Sequence, residues 1–232
     1  MFTGAGISTE SGIPDFRGPD GVWRRVDPSE FTLERYLSDV TTRRAAWRRR
    51  TRSGALTAAP NRGHEAVVRL WRSGRMVGCV TQNIDGLHAA AGLPSEALVE
   101  MHGNARTTTC LECGASLPTI QVAARVETGE DDPPCERCGG VLKVDVVYFG
   151  EMLPAGAVAR AFEWSARADA VLAVGSTLGV YPAASLPLDV VRAGHPMVIV
   201  NRGPTDLDHL ATVIVDGSSG DVLPELVDRI TD

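Results

Sequence analysis

Gly4-Ala5-Gly6-Ile7-Ser8-Thr9-Glu10-Ser11-Gly12-Ile13-Pro14-Asp15-Phe16-Arg17-Gly18 is the stretch on which the reading of this chain turns. Gly4 and Gly6 flank one small residue, so the backbone there turns tightly and approaches a ligand with no Cβ in the way. Ser8 and Ser11 are residues of the type that cap a helix starting near this point, and its unpaired N–H groups then face the turn. The combination predicts a pyrophosphate seat at a helix N-terminus. The usual dinucleotide fingerprint has a third glycine where this chain has Thr9. Gly-x-Gly alone is therefore weak, since a tight loop in any α/β protein looks the same. Pro14-Asp15-Phe16-Arg17-Gly18 adds a fixed turn, an acid, an aromatic ring and a guanidinium directly afterwards.

A turn of this type should follow a buried parallel strand, yet only Met1-Phe2-Thr3 precede it. Three residues make a stub about 10 Å long. The expectation is either a start upstream of Met1 or a clipped central strand. Further along, Met76 to Thr81, Leu98 to Met101, Val171 to Val174, Met197 to Val200 and Thr212 to Val215 are near-continuous apolar runs. With helical patterns between them, they predict a parallel sheet covered on both faces. Gln82-Asn83-Ile84-Asp85 and His102-Gly103 fall at carboxyl ends of such strands, where open α/β sheets bind ligands.

Pro19-Asp20-Gly21 and Asp27-Pro28-Ser29 are turn clusters ahead of one or two helices. Arg43 to Arg52 forms a basic helical stripe whose plain reading is a solvated face. Pro60-Asn61-Arg62-Gly63-His64 opens another helix, and His64 reads there as a structural hydrogen-bonder.

At 232 residues the chain buries a sizeable core as one large domain or one with a small insert. Hydrophobic content of 44% and charged content of 22% are those of an ordinary globular protein. No apolar run reaches the roughly 20 residues that span a bilayer, so no membrane partner is expected and the expected location is cytoplasmic. A net charge of −6 argues against non-specific nucleic-acid binding. Of the 23 basic residues, Lys143 alone is a lysine.

Four of the five cysteines come in pairs, Cys110-x-x-Cys113 and Cys135-x-x-Cys138. Two such knuckles at this separation predict a tetrahedral zinc site with no open coordination position, structural and not catalytic. The alternative is two disulfides, which would need an oxidising compartment. Cys79, in an apolar run, reads as an inert core residue.

The opening stretch, Thr81-Gln82-Asn83-Ile84-Asp85, Met101-His102-Gly103 and the four paired cysteines together resemble the sirtuins, the NAD-dependent protein-lysine deacylases. The resemblance runs from Phe2 almost to the C-terminus, with the motifs in the family's order. It implies a Rossmann-like α/β fold over 1–25, 61–103 and 146–232. A small domain, part helical and part zinc ribbon, is implied over 26–60 and 104–145.

The resemblance also implies roles. His102 is the base that takes a ribose hydroxyl proton, with Asn83 beside it in catalysis. Asn83 and Asp85 offer a carboxamide and a carboxylate to nicotinamide and an ordered water, Ile84 supplies an apolar wall, and Gln82 holds the ribose. Gly4, Ala5, Gly6, Ile7, Ser8, Ile13, Pro14, Asp15, Phe16, Arg17 and Trp23 fall on the nicotinamide and phosphate side of NAD. Gly175, Ser176, Thr177, Asn201, Arg202, Gly203 and Ser219 fall on the adenosine side.

Val146-Val147-Tyr148-Phe149-Gly150-Glu151 resembles the family's substrate strand, with Val146 and Phe149 on the acyl-lysine stem and Gly150 beside them. Together with Gly179-Val180-Tyr181 it would clamp an acyl-lysine protein segment as an added strand. The family usually has proline where this chain has Val144. Sirtuins that remove anionic acyl groups carry Tyr-x-x-Arg in the small-domain helix. Here Trp47-Arg48-Arg49-Arg50 keeps the arginine and loses the tyrosine. The expectation is deacetylation, with succinyl-lysine accepted less efficiently through Arg50. Two other readings compete: a protein mono-ADP-ribosyltransferase, and a non-catalytic zinc-ribbon module that binds protein or nucleic acid. His102 with Gln82, Asn83 and Asp85 speaks against the latter.

Overall fold

Strand β1 is two residues long, Phe2–Thr3, yet it lies at the middle of the main sheet. The computed structural model describes residues 1–18 and 21–231; Pro19 and Asp20, part of an expected turn cluster, lie outside them, as does Asp232. Around β1 stand β2 (Cys79–Thr81), β3 (Leu98–Glu100), β7 (Val171–Val174), β8 (Met197–Asn201) and β9 (Val213–Asp216) in the order β3-β2-β1-β7-β8-β9. Every pairing is parallel. The chain runs outward from β1 on one side and then from β7 on the other, so the order reverses between these two strands. In open α/β sheets such a switch point leaves a crevice at the carboxyl ends.

Side chains alternate across this sheet, as pleating requires. Phe2, Val80, Val99, Ala173 and Ile199 bury themselves on one face under α6 (Ala155–Arg167) and α7 (Ser185–Arg192). Cys79, Leu98, Val174 and Val200 bury themselves on the other, under α3 (Arg62–Arg72) and α8 (Ser219–Thr231). Two-sided burial lets so short a β1 hold its place, because its neighbours' cores close over it. The short helix α4 (Leu87–Ala90) leads from the end of β2 back toward β3. No helix among the described residues is long and apolar enough to cross a membrane.

The second body is a three-stranded antiparallel sheet of β4 (Gly103–Cys110), β5 (Ser116–Pro118) and β6 (Leu142–Val146), in the order β5-β4-β6. Helices α1 (Leu33–Ser38), α2 (Val40–Arg52) and α5 (Thr119–Glu127) accompany it, and Tyr36, Trp47, Val122 and Tyr148 share its core. The arginines of α2 form the expected solvated face only in part: Arg44, Arg48 and Arg52 are exposed, whereas Arg43, Arg49 and Arg50 are partly buried. Arg43 pairs with Asp132 at 2.9 Å, Arg48 with Asp131 at 2.8 Å and Arg49 with Glu30 at 3.1 Å. The acidic loop at the end of α5 is the counter-charge for two of them, brought close by folding. Arg43 and Asp132 are 13% and 21% exposed. Their attraction is screened less than that of an open surface pair.

Candidate active site

Three loops meet at the switch point. Gly4 N donates to Val174 O at 2.9 Å and Gly6 N to Gly175 O at 2.8 Å. A Cβ on Gly4 would lie 2.7 Å from Gly175 O, and one on Gly6 2.7 Å from Gly175 Cα. These glycines therefore serve the contact between two strand-end loops, with two of the turn's amides used on protein carbonyls. A seven-residue 3-10 helix, Ala5–Ser11, comes next, with no side-chain cap at Gly4. The expected capping by Ser8 and Ser11 is thus corrected. Ser8 Oγ donates instead to Asp85 Oδ2 at 2.7 Å, and Ser11 Oγ accepts from Asn61 Nδ2 at 3.0 Å. Ile7 is wholly buried in the core under α3 and α8.

Asn83 and Asp85 leave the end of β2 buried, at 7% and 6% exposure. Asn83 Nδ2 donates to Gly4 O at 3.1 Å and Ser8 Oγ at 3.2 Å, which leaves its carbonyl oxygen for a ligand. Asp85 Oδ1 accepts from Leu87 N at 2.8 Å, so both carboxylate oxygens are oriented by the protein. Behind them, Asn61 caps α3 in a reciprocal box with His64. Asn61 N donates to His64 Nδ1 at 3.3 Å, so the proton of neutral His64 sits on Nε2, which faces Ser8 Oγ at 3.4 Å. The result is a directed chain from His64 through Ser8 to Asp85. Burial lowers the His64 pKa from 6.5 to about 4 and that of His88 on α4, whose ring lies 5.0 Å away, to about 3. His88 Nε2 meets Thr3 Oγ1 at 2.9 Å.

His102 stands at the end of β3, half-buried. Its Nδ1 is 2.9 Å from Gln82 O. A carbonyl only accepts, so Nδ1 carries the proton and Nε2 keeps its lone pair. Burial lowers the pKa of His102, partly offset by this hydrogen bond. Gly103 has φ of 76°, and a Cβ there would run into Asp145 O, so the turn after His102 requires glycine. Ser176 Oγ donates to Gln82 Oε1 at 2.9 Å, which ties β2 to β7 across the crevice. Gln82 Nε2 is buried without a partner among the described residues. An orphaned donor at this place suits a ribose hydroxyl, and Asn83's free carbonyl suits an amide donor. The crevice therefore fits NAD.

The other expected contacts are spread more widely. The segment after the 3-10 helix folds on itself: Gly18 N donates to Asp15 Oδ1 at 2.8 Å, and Trp23 N to Phe16 O at 3.1 Å. Ile13 is half-buried, whereas Pro14 and Arg17 are exposed. Trp23 stacks 5.1 Å from Phe16, 4.8 Å from Phe31 and 6.1 Å from Phe149. Residues assigned to cofactor and to substrate thus share one aromatic wall. Thr177 O accepts from Asp206 N at 2.9 Å, and Asn201 Nδ2 donates to Arg202 O and Gly203 O at 3.2 and 3.0 Å. Ser219 begins α8, whose Gly220 N is taken by Glu10 Oε2 at 2.6 Å. Of the residues expected on the substrate side, Val146 is buried, Val180 half-buried and Gly150 exposed. Trp47 and Arg50 sit in the small module's core region, Arg50 against Tyr148 and Tyr36. Ile84 packs there too. Sequence reasoning missed Glu10 and the His64–His88 pair as parts of the site; an Asn-x-x-His capping pattern was the available signal for His64.

The four paired cysteines converge, with all sulfurs within 4.8 Å of one another. Cys110 and Cys138 are 3.5 Å apart and Cys113 and Cys135 3.7 Å. A tetrahedron with Zn–S of about 2.3 Å has edges near 3.8 Å. The site fits a structural zinc, and neither knuckle forms a disulfide. Cys79 is buried, as expected.

The model of the Sir2 family matches residues 4–182. The NAD-dependent protein deacetylase 2 of Streptomyces coelicolor is 46% identical over 229 residues, covering 98% of this chain and 95% of that protein. The NAD-dependent protein deacetylase 1 of Pyrobaculum aerophilum is 40% identical, over 99% of this chain and 88% of that protein. A Sir2 structure with a deacetylated p53 peptide and 3'-O-acetyl-ADP-ribose superposes with a TM-score of 0.92 at 35% identity, covering 99% and 92% of the two chains. Another, with p53 peptide and NAD, gives 0.88 at 36% identity, covering 98% and 91%. The parallel sheet with its switch-point crevice, the His102 site and the cysteine cluster agree with these likenesses, and the chain belongs to the Sir2 family.

Proposed function

We propose that this protein is an NAD-dependent protein-lysine deacylase that takes acetyl groups first. The observation that carries the reading is His102, whose Nδ1–H is fixed on Gln82 O and whose Nε2 is left basic at the mouth of the crevice. NAD, when bound, would supply a ribose carbon that takes up the acyl oxygen as nicotinamide departs; with one water consumed to release the lysine amine, the products are nicotinamide, free lysine and O-acyl-ADP-ribose. His102 Nε2 accepts a ribose hydroxyl proton, and its lowered pKa keeps it neutral and ready at neutral pH. Gln82 Nε2 and the Asn83 carbonyl hold the ribose and the nicotinamide amide. Ser8, held by Asn83 and Asp85, keeps these groups from turning away. The reaction is an acyl transfer to ADP-ribose.

The acyl-lysine segment adds as a strand beside Phe149–Gly150. Val147 N donates to His102 O at 2.9 Å, Phe149 N to Phe31 O at 2.9 Å, and Leu33 N to Phe149 O at 3.0 Å. Those bonds use one edge of the segment, and the Gly150 main chain has no backbone partner among the described residues. A substrate backbone pairs there, which makes the enzyme tolerant of sequence. Arg50, desolvated beside Tyr148 and making no ion pair with a carboxylate among the described residues, supports a secondary acceptance of succinyl-lysine. A four-thiol site that holds zinc only when its cysteines are reduced supports a reducing, cytoplasmic setting.

The test is a product assay with acetyl-lysine peptide and NAD. Stoichiometric nicotinamide and O-acetyl-ADP-ribose are expected. ADP-ribose attached to protein, with no deacetylated peptide, would establish the ADP-ribosyltransferase reading instead.

A further inference from the structure

The chain has one lysine, Lys143, and the roles assigned above leave it unused. It lies on β6 and is 5% exposed. Its ammonium donates to Val146 O at 2.7 Å and Val144 O at 3.4 Å, and pairs with Glu151 Oε2 at 3.0 Å. The Tyr148 ring centroid is 5.2 Å away. Glu151 Oε2 also accepts from Tyr148 N at 3.0 Å, and Glu151 N donates to Tyr148 O at 3.0 Å. One cation therefore joins the first and last residues of the segment 146–151, and Tyr148 is bound to Glu151 through both of its main-chain groups. What projects from this closed turn is Phe149, 51% exposed, and the Gly150 backbone.

We infer that Lys143 is a positioning residue for the acyl-lysine peptide, acting through Val146 O and Glu151 to hold the edge on which the peptide pairs. The inference rests on the reading of 146–150 as the substrate segment. Burying the Lys143 ammonium carries a desolvation penalty that its partly exposed partner Glu151 offsets only in part, and an apolar pair of similar volume is often as stable. Stability alone is thus a weak reason for the pair. Geometry is a better one, because an ammonium's hydrogen bonds reach two main-chain carbonyls and a carboxylate at once. The same contacts withhold the chain's only ε-amine from acylation.

Three measurements test this. In Lys143→Met, the KM for acetyl-lysine peptide and the peptide Kd by fluorescence anisotropy should rise about tenfold, with the KM for NAD changed by less than about twofold. In the double variant Lys143→Met/Glu151→Leu, which removes both charges, the Tm should return toward wild type while the peptide KM stays high. Recovery of the peptide KM along with Tm would show that the pair contributes stability only, and would overturn the inference. Third, acetic anhydride should leave Lys143 unmodified in the wild type and acetylate it in Glu151→Leu, read by mass spectrometry of peptides. Equal labelling in both proteins would mean that no clamp exists. A wild-type protein that makes no O-acetyl-ADP-ribose would instead sink the deacylase reading, and the labelling and peptide Kd still report on the clamp.

Discussion

The two bodies of this protein are held together by different forces. The main sheet is closed by apolar layers on both faces, and its polar groups at the crevice are oriented by hydrogen bonds of Ser8 with Asn83, His64 and Asp85 and of Gln82 with Ser176, not by ion pairs. The small module has one core cluster, four metal-type thiolates and a set of arginine–carboxylate pairs linking α2 to distant loops. A parallel sheet gains by burying continuous Val, Ile and Leu runs, which need no metal. A three-stranded sheet with three accompanying helices buries much less than the main sheet, and small bodies of this kind rely on staples. The candidate catalytic residues thus stand on the part that folds by burial, and the proposed substrate edge adjoins the part stapled by cysteines and charge.

The sharpest break between the two comes from the metal. Structural zinc sites bind with apparent energies of about 10–16 kcal/mol, as large as a domain's whole stability. Cys135→Ser, or chelation, should release zinc, unfold the β4–β6 module and abolish activity, while far-UV CD retains much of the helical signal of the main sheet. A zinc-free variant that stays folded and active would break the comparison.

Next comes the base. His102→Ala should lower kcat by about 10²–10⁴-fold, with NAD affinity largely kept because the crevice is built from other residues. Parallel loss of binding and activity would make His102 structural. Burial holds its pKa below the ordinary 6.5, so kcat/KM should be flat above pH 6.5 and fall on its acid side.

A third difference is electrostatic. His64 and His88 are buried neutral, with pKa values lowered from 6.5 to about 4 and about 3. Both folded values lie below the unfolded one, so their contribution is complete above pH 6.5 and is lost as pH falls toward 4. Each costs up to about 1.4 kcal/mol per pH unit in that window. Urea midpoints measured across it should fall for the wild type and less steeply for His88→Gln. A midpoint independent of pH would mean that the two rings take up protons in the folded state.

The smallest expected effect lies in the small module. Arg50→Met should reduce kcat/KM on succinyl-peptide about tenfold or less, a charge-assisted contact's worth, and leave acetyl-peptide turnover unchanged. Equal losses on both peptides would place Arg50 in structural packing against Tyr148.

Much of the site was legible because its chemistry depends on residue types at short spacings. Cys-x-x-Cys pairs, a histidine after a buried strand and Gln-Asn-Ile-Asp after another declare themselves locally. The other strands of the main sheet were legible from their apolar runs: two-sided burial explains those of β2, β3, β7 and β8, whereas β9 keeps its run at the sheet edge with Val213 and Ile214 exposed. β1 was the hardest, as two residues carry no period of their own.

What the sequence by itself determined, then, is the set of local commitments: alternating strands and helices, the paired thiols and the motif residues at strand ends. Tertiary structure alone decided which partners those residues meet. Gly4, Gly6 and Gly175 turned out to be a contact between loops, because only the sheet order sets β1 beside β7. Ser8 became a link to Asp85 and not a helix cap, because the turn closes as a short 3-10 helix with Ser8 inside it and beside Asp85. The arginines of α2 found Asp131 and Asp132, and Lys143 found Glu151, through a fold that no spacing along the chain encodes. The physical reason is range: propensity and burial pattern act within a few residues, whereas a hydrogen bond or ion pair is chosen by whatever the packed chain brings within about 3 Å.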